Sequence, residues 1–310
     1  MALADTSVLG NPEIYRLFAF RFPEDAEAEE LRRWLDRMVR GTEPQVAAIP
    51  EPLRSIVRRH LGFFREAMPG GFDLQGANIG NLVLTGGYLN QGRQLDPVLY
   101  LFSQLVEVRG VVRPVVDQDL HLVAELADGR TLIGQHSLTG KEHAALDSPV
   151  QDLYLSRSKT RPVPHRPRIS EAVDELVRSA DLICYPVGSF YSSLIATLLP
   201  EGVSAAISET VVPKVYVPNP GPDPEEFGMT LVDKVRTLLR YLKAGTPKRT
   251  STDRLLTFVM IDRAEAGITR KTIRAVEKLG VEVIDTPLIT ESSGSYLDDD
   301  LLAESLLSLT

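Results

Sequence analysis

Apolar residues recur along this chain with two different periods, and the change of period organises it. In the first quarter the spacing is helical. After Pro23-Glu24-Asp25, residues Leu31, Trp34, Leu35, Met38 and Val39 fall at i, i+3, i+4, i+7 and i+8, one face of a helix that Gly41 stops. A second helix follows Pro52, with Leu53, Ile56, Val57, Leu61 and Phe64 inward and an end near Pro69-Gly70-Gly71. Both faces need a partner, so residues 11–72 read as a helical cap, with Trp34 as a core anchor rather than a stacking platform. Further helices are predicted to open at Gly80-Asn81 and at Asp96-Pro97.

Between residues 105 and 136 the period shortens to two. His121 to Leu126 alternates, Ala127-Asp128-Gly129-Arg130 turns, and Thr131 to Gln135 returns, which predicts a β-hairpin insertion. The stretch Ser156 to Arg168 carries Pro162, Pro164 and Pro167 among five basic residues and reads as an extended crossover. From residue 170 to 310 strands and helices alternate. Ser170 caps a helix, Asp181–Tyr185 is a buried strand, and Ser192–Leu199 is a helix. Strand Lys214–Val217 precedes a loop, and Thr230 caps a helix carrying Val235, Leu238, Leu239 and Leu242. Strand Leu255–Ile261, helix Lys271–Leu279, strand Val281–Ile284 and a helix near Asp299–Leu309 follow. The pattern predicts one α/β domain over residues 1–310: a doubly wound, mostly parallel Rossmann-like sheet with the helical cap and the hairpin added.

Composition narrows what such a domain can do. Of 310 residues, 34 are Lys or Arg and 42 are Asp or Glu, a net charge of −8, which argues against a nucleic-acid partner. One cysteine, Cys184, excludes a disulfide framework and any multi-thiolate metal site, and a cytoplasmic location is the expectation. Leu182 to Pro200 lacks charge for 19 residues, yet Pro186, Gly188, Ser189, Ser192 and Ser193 interrupt it. A strand, turn and helix start explain that stretch better than a membrane span.

The strongest chemical signal is Tyr185-Pro186-Val187-Gly188-Ser189-Phe190-Tyr191-Ser192-Ser193. A buried strand runs into a Gly-Ser turn and a helix that begins with small hydroxyl residues. That order aims backbone N–H groups and a positive helix end at whatever sits over the strand's carboxyl end, with phosphate or carboxylate as the natural guest. A plain turn with a serine cap fits the same residues. A second signal is Gly76-Ala77-Asn78-Ile79-Gly80-Asn81-Leu82, where Asn81 offers a donor and an acceptor to a ligand or is itself a helix cap. Neither stretch is a dinucleotide or Walker fingerprint. The five histidines lack metal-ligand spacing and no GxSxG elbow is present, so no catalytic or metal-ligating residue is assigned. Cys184 reads as a small hydrophobe, and the basic crossover either steers an anion or is a solvated loop.

Taken in order, these stretches resemble the superfamily of 2-phospho-L-lactate transferase (CofD) and the YvcK-type sugar-nucleotide-binding proteins. Gly76–Leu82 is similar to its Gly-His-x-x-Gly-Asn-Leu signature, and Asp181–Ser193 to its Ala-Asp-x-Ile-x-x-Gly-Pro-Gly-Ser-x-Tyr-Thr-Ser signature. Val108 to Pro114 looks like the family's Val-x-Gly-x-Val-x-Pro run, while Tyr216-Val217-Pro218-Asn219 and the Glu-Glu-x-x-x-Thr run match more loosely. Three departures stand out. Ala77 replaces the family's histidine, and Pro186-Val187-Gly188-Ser189 replaces its Gly-Pro-Gly-Ser turn. Family members also begin with a strand and a Gly-rich phosphate loop, of which nothing precedes Gly10. Met1 to Asp5 reads as a helix remnant, and the expectation is a truncated or misassigned start, with a divergent protein lacking that half-site as the alternative.

The resemblance implies transfer of a phospholactyl-type group from a nucleotide-activated donor to an alcohol acceptor, with Mg²⁺ neutralising the diphosphate and a homodimer as the assembly. The alternative it implies is a non-catalytic, YvcK-like nucleotide-sugar-binding regulator. On either reading, Gly188, Ser189, Ser192 and Ser193 are expected to hold phosphate. Gly80 would help bind the substrate, Asn81 would orient the donor or the metal, and Tyr191 would shape the acceptor pocket. A groove shared by Asn81 and Gly188, with a gap where a further Gly-rich loop would sit, is the corresponding structural expectation.

Overall fold

The computed structural model describes residues 12–105, 108–139, 146–263 and 268–310. The expected helix remnant at Met1 to Asp5 lies outside the described residues. The chain forms two compact units, Met1–Asp117 and Gln118–Thr310.

The first unit is helical, as the 3.6-residue spacing requires. Its helices are α1 (Pro12–Ala19), α2 (Ala28–Arg40), α3 (Pro44–Ala47), α4 (Leu53–Ala67), α5 (Ile79–Asn90) and α6 (Asp96–Leu105). In α2, Leu31, Leu35 and Met38 are buried, and Gly41 ends the helix in the left-handed conformation (φ +77°) with its N–H on the Met38 carbonyl. In α4 the buried stripe is Leu53, Val57, His60, Leu61 and Phe64. Trp34 packs against the rings of Phe20 and Phe22, each 5.5 Å away between centroids, as a core anchor should. Helices α4 and α5 approach until backbones nearly touch. A Cβ on Gly86 would lie 1.8 Å from the His60 carbonyl oxygen, so only glycine permits the crossing.

The second unit holds two sheets. The predicted hairpin is present as β1 (His121–Leu126) and β2 (Thr131–Ile133), with Val123 opposite Ile133. A third strand, β3 (Val150–Ser156), pairs antiparallel with β1 and makes the order β2-β1-β3. The sequence reading missed it, because its burial departs from strict alternation: Gln151 and Asp152 are both exposed, and the register shifts between Glu125 and Leu126. The proline-rich crossover then runs back along β3, the His165 N–H meeting the Leu155 carbonyl at 2.7 Å.

The β/α half is arranged as the alternation predicts. Helix α7 (Glu171–Arg178), capped by Ser170, leads to β4 (Ile183–Tyr185). A wide π-helical segment (Phe190–Ile195) runs into α8 (Ala196–Leu198), followed by α9 (Val203–Glu209) and β5 (Lys214–Tyr216). Then come α10 (Leu231–Ala244), β6 (Phe258–Ile261), α11 (Arg270–Glu277), β7 (Glu282–Asp285) and α12 (Asp299–Leu307). The four strands are parallel in the order β4-β5-β6-β7. Thr230 and Asp233 form a reciprocal capping box on α10, whose Val235, Leu238, Leu239 and Leu242 are buried. The apolar stretch 182–200 is thus strand, turn and helix. Among the described residues no helix is long and apolar enough to cross a membrane.

Candidate functional site

In a parallel sheet every strand ends on the same side, so the loops that follow β4 to β7 form one rim. That is where open α/β sheets hold ligands. The loop after β4 is Pro186 to Ser189. Gly188 takes φ +146°, a conformation open to glycine, and its side is unobstructed: a Cβ there would meet only Ser193 Cβ, at 3.9 Å. The loop after β5 reaches across and holds it from both ends. The Gly188 N–H donates to Asn219 Oδ1 at 3.0 Å, and Asn219 Nδ2 donates to the Gly188 carbonyl at 2.7 Å.

Beyond the glycine, the predicted anion cradle already has an occupant. Asp223 Oδ2 accepts the Phe190 N–H at 2.7 Å; Glu225 Oε2 accepts the N–H groups of Tyr191 and Ser192 at 2.8 and 2.7 Å. The Ser192 hydroxyl donates to Glu225 Oε1. The next two N–H groups, of Ser193 and Leu194, turn back to the Ser189 carbonyl at 3.1 Å. Glu225 is 1% exposed, and burial raises its pKa against the lowering effect of its hydrogen bonds from Ser192 and Tyr191. Burial likewise raises Glu226, opposed by its ion pair with Lys234.

The site residues expected from sequence therefore separate. Gly188 is exposed, Ser189 half-buried and Ser193 exposed; the hydroxyls of Ser189 and Ser193 make no hydrogen bond within the described residues. Ser192 is buried, and its hydroxyl is spent on Glu225. The Tyr191 side chain is 2% exposed, and burial pushes its phenol up to about 12, so it fills core instead of shaping an open pocket. Gly80 and Asn81 belong to the helical unit. Gly80 is a close-packing position, where a Cβ would lie 2.9 Å from the Phe18 carbonyl oxygen. The cap of α5 is Asn78, whose Oδ1 accepts the Asn81 N–H at 2.9 Å, and the Asn81 side chain is exposed. Sequence reasoning gave no role to Asn219, Asp223 or Glu225. The available signal was topological: the loop after β5 must run beside the loop after β4, and it carries carboxylates.

The same lacing continues along the rim. Asp262, after β6, accepts the N–H groups of Leu288 and Ile289 at 2.9 and 3.1 Å; Asp285 Oδ1 accepts the Arg263 N–H at 3.0 Å. Asp262, Arg263, Asp285, Thr286 and Pro287 line a cleft of about 430 Å³ at the ends of β6 and β7. A cavity of about 480 Å³ lies elsewhere, between β3 and the last turn of α10, with Asp152, Tyr154, Arg166, Arg240 and Tyr241 in its wall.

The carboxylates beside the β4 turn are poor ligands for Mg²⁺: Glu225 is buried with both oxygens on N–H or O–H donors, and each oxygen of Asp223 already accepts an N–H. Asp298, Asp299 and Asp300 cluster at the start of α12, but Asp298 is the helix cap, accepting the Leu301 N–H at 3.2 Å.

A parallel sheet whose first glycine turn, helix start and neighbouring loop form one rim places this chain among the open α/β proteins. Comparison with known proteins makes this specific. The chain belongs to the CofD family, described as 2-phospho-L-lactate transferase CofD, which matches residues 2–289. The gluconeogenesis factor of Bacillus subtilis is 28% identical over 183 residues, 59% of this chain and 54% of that protein. That of Listeria monocytogenes is 32% identical over 158 residues, 50% of this chain and 44% of its own. A Deinococcus radiodurans relative is 32% identical over 174 residues, covering 35% of its length, so the chain spans about a third to a half of these relatives. A crystal structure of a UPF0052-family protein from Bacillus halodurans shares the fold, with a TM-score of 0.59 and 19% identity over 96% of this chain and 97% of that one.

Proposed function

We propose that this chain binds a nucleotide-activated, phosphorylated small molecule on the strand-end rim and, as CofD-family chemistry would have it, passes a phospholactyl-type group to an alcohol acceptor. The observation that carries the reading is the Gly188–Ser189 turn: it is pinned by Asn219, leaves open space where a Gly188 side chain would stand, and presents the unpaired hydroxyls of Ser189 and Ser193. A turn held rigid before the ligand arrives loses little entropy on binding.

One observation favours the second reading, a non-catalytic binder of nucleotide conjugates. Of the carboxylates on the loop after β5, Asp223 and Glu225 are held by N–H or O–H donors and Glu226 by Lys234. Every carboxylate of that loop is thus already engaged by the protein's own donors, which leaves none poised as an unengaged general base. Calorimetry against nucleoside diphosphate conjugates, with and without Mg²⁺, followed by assay of transfer to alcohol acceptors, tests both. Binding with turnover supports the transferase; tight binding with no turnover on any acceptor supports the regulator; no binding to any conjugate refutes the site.

A further inference from the structure

A helix start draws anions because its first N–H groups lack partners within the helix. Here Phe190, Tyr191 and Ser192 all donate to carboxylates of the same chain, and Ser193 and Leu194 donate to the Ser189 carbonyl. No backbone N–H from residue 190 to 194 is left for a phosphate. Glu225 is as buried as a core leucine, a placement that is costly for a carboxylate unless its oxygens are satisfied. Asp223 organises it by accepting the Glu225 N–H at 3.0 Å while holding Phe190 with its other oxygen.

We propose that Glu225, assisted by Asp223, is a built-in anion. Its carboxylate occupies the helix start in place of an external phosphate and so positions the Gly188–Ser189 turn as the surface that meets the phosphoryl group of the ligand. The second half of this statement rests on the proposed rim site; the first does not. Glu225 is thus a positioning residue acting through the backbone of Tyr191 and Ser192. The phosphoryl group is read beside the carboxylate, at the Gly188 turn, by the hydroxyls of Ser189 and of Ser193, whose Cβ lies 3.9 Å from where a Cβ on Gly188 would stand.

Chemical rescue tests it. Glu225→Ala removes the carboxylate and leaves its donors facing a small cavity. Formate is expected to raise the thermal midpoint of Glu225→Ala, recovering at least half of the loss, with sodium chloride of equal ionic strength as the control. The parent protein should gain no more from formate than from chloride. Lack of rescue, or equal stabilisation of the parent, overturns the proposal. If Glu225→Ala does not fold, Glu225→Gln serves: the amides of Tyr191 and Ser192 should exchange at least tenfold faster while those of α10 are unchanged, and unchanged exchange at those two amides overturns it. In parallel, uridine 5′-diphosphate and guanosine 5′-diphosphate are titrated against the parent and Ser189→Ala. A tenfold or greater loss of affinity in Ser189→Ala supports the reading surface, and unchanged affinity overturns that half. Rescue with no nucleotide binding by the parent leaves the built-in anion standing and refutes the rim site.

Discussion

Replacing Gly188 by alanine separates backbone strain from steric conflict, because the structure leaves room for the new methyl group. The nearest atom to a Cβ there is Ser193 Cβ at 3.9 Å, an ordinary contact, so nothing is gained or lost by packing. The backbone pays instead. At φ +146° an L-residue sits in a region used essentially by glycine, at a cost of about 1–3 kcal/mol. Relaxing that strain would rotate the peptide groups held by Asn219 and forfeit two hydrogen bonds, together about 1–2 kcal/mol for bonds this exposed. The chain takes the cheaper route, so the expected loss is about 2 kcal/mol, or about 4–8 °C in the midpoint of a unit of this size. Gly221 is the control. It lies in the neighbouring loop, its Cβ would meet nothing within 4 Å, and Gly221→Ala should be neutral or slightly stabilising. Thermal unfolding of Gly188→Ala in the Asn219→Ala background should show a smaller loss than in the parent, since the bonds that enforce the strained conformation are gone. If Gly188→Ala is as stable as the parent and matches Gly221→Ala, the turn is not held as described, and the preorganisation behind the proposed site falls with it.

Gly86→Ala should destabilise the helical unit by about 3 kcal/mol, because a Cβ 1.8 Å from the His60 carbonyl oxygen forces α4 and α5 apart; denaturant unfolding with an unshifted midpoint would contradict the crossing. Burial pushes the Cys184 thiol up to about 11, so at pH 8 its thiolate is about a hundredfold scarcer than in the unfolded chain. Alkylation by iodoacetamide should be slower by about that factor and should speed up as pH rises toward 11, whereas a rate equal to that in denaturant would refute the burial. Thr230→Ala removes one half of the α10 capping box and should cost about 1 kcal/mol, recovered largely by Thr230→Ser; equal losses in the two variants would show that the hydroxyl is not the cause.

The alternation of strands and helices, the caps at Ser170 and Thr230 and the stop at Gly41 could be read from the chain because each is a local matter. A period of two or 3.6, a hydroxyl before an apolar stripe, or a glycine after one commits the backbone within a few residues. Gly188 was legible for the same reason: a strand that must turn into a helix over four residues needs a residue free of a Cβ. Strand β3 was not, since its exposure pattern breaks alternation and its identity comes from pairing with β1, some thirty residues earlier.

The site divides along the same line. Sequence alone determined that a strand, a Gly-Ser turn and a helix start would follow one another here, and it left open whether that helix start draws an anion or is a plain capped turn. Only the tertiary structure decided that, and which anion. Asp223 and Glu225 lie more than thirty residues from the groups they hold, and nothing local ties them to Tyr191 and Ser192. They meet because β4 and β5 are parallel neighbours, so their following loops run side by side on one rim. Likewise Gly80 reads from its neighbours as a helix start and a candidate donor-binding residue, and the fold makes it a packing residue by laying the Phe18 backbone against it. Local chemistry sets what a group can bind; the neighbour that the sheet brings alongside sets what it does bind.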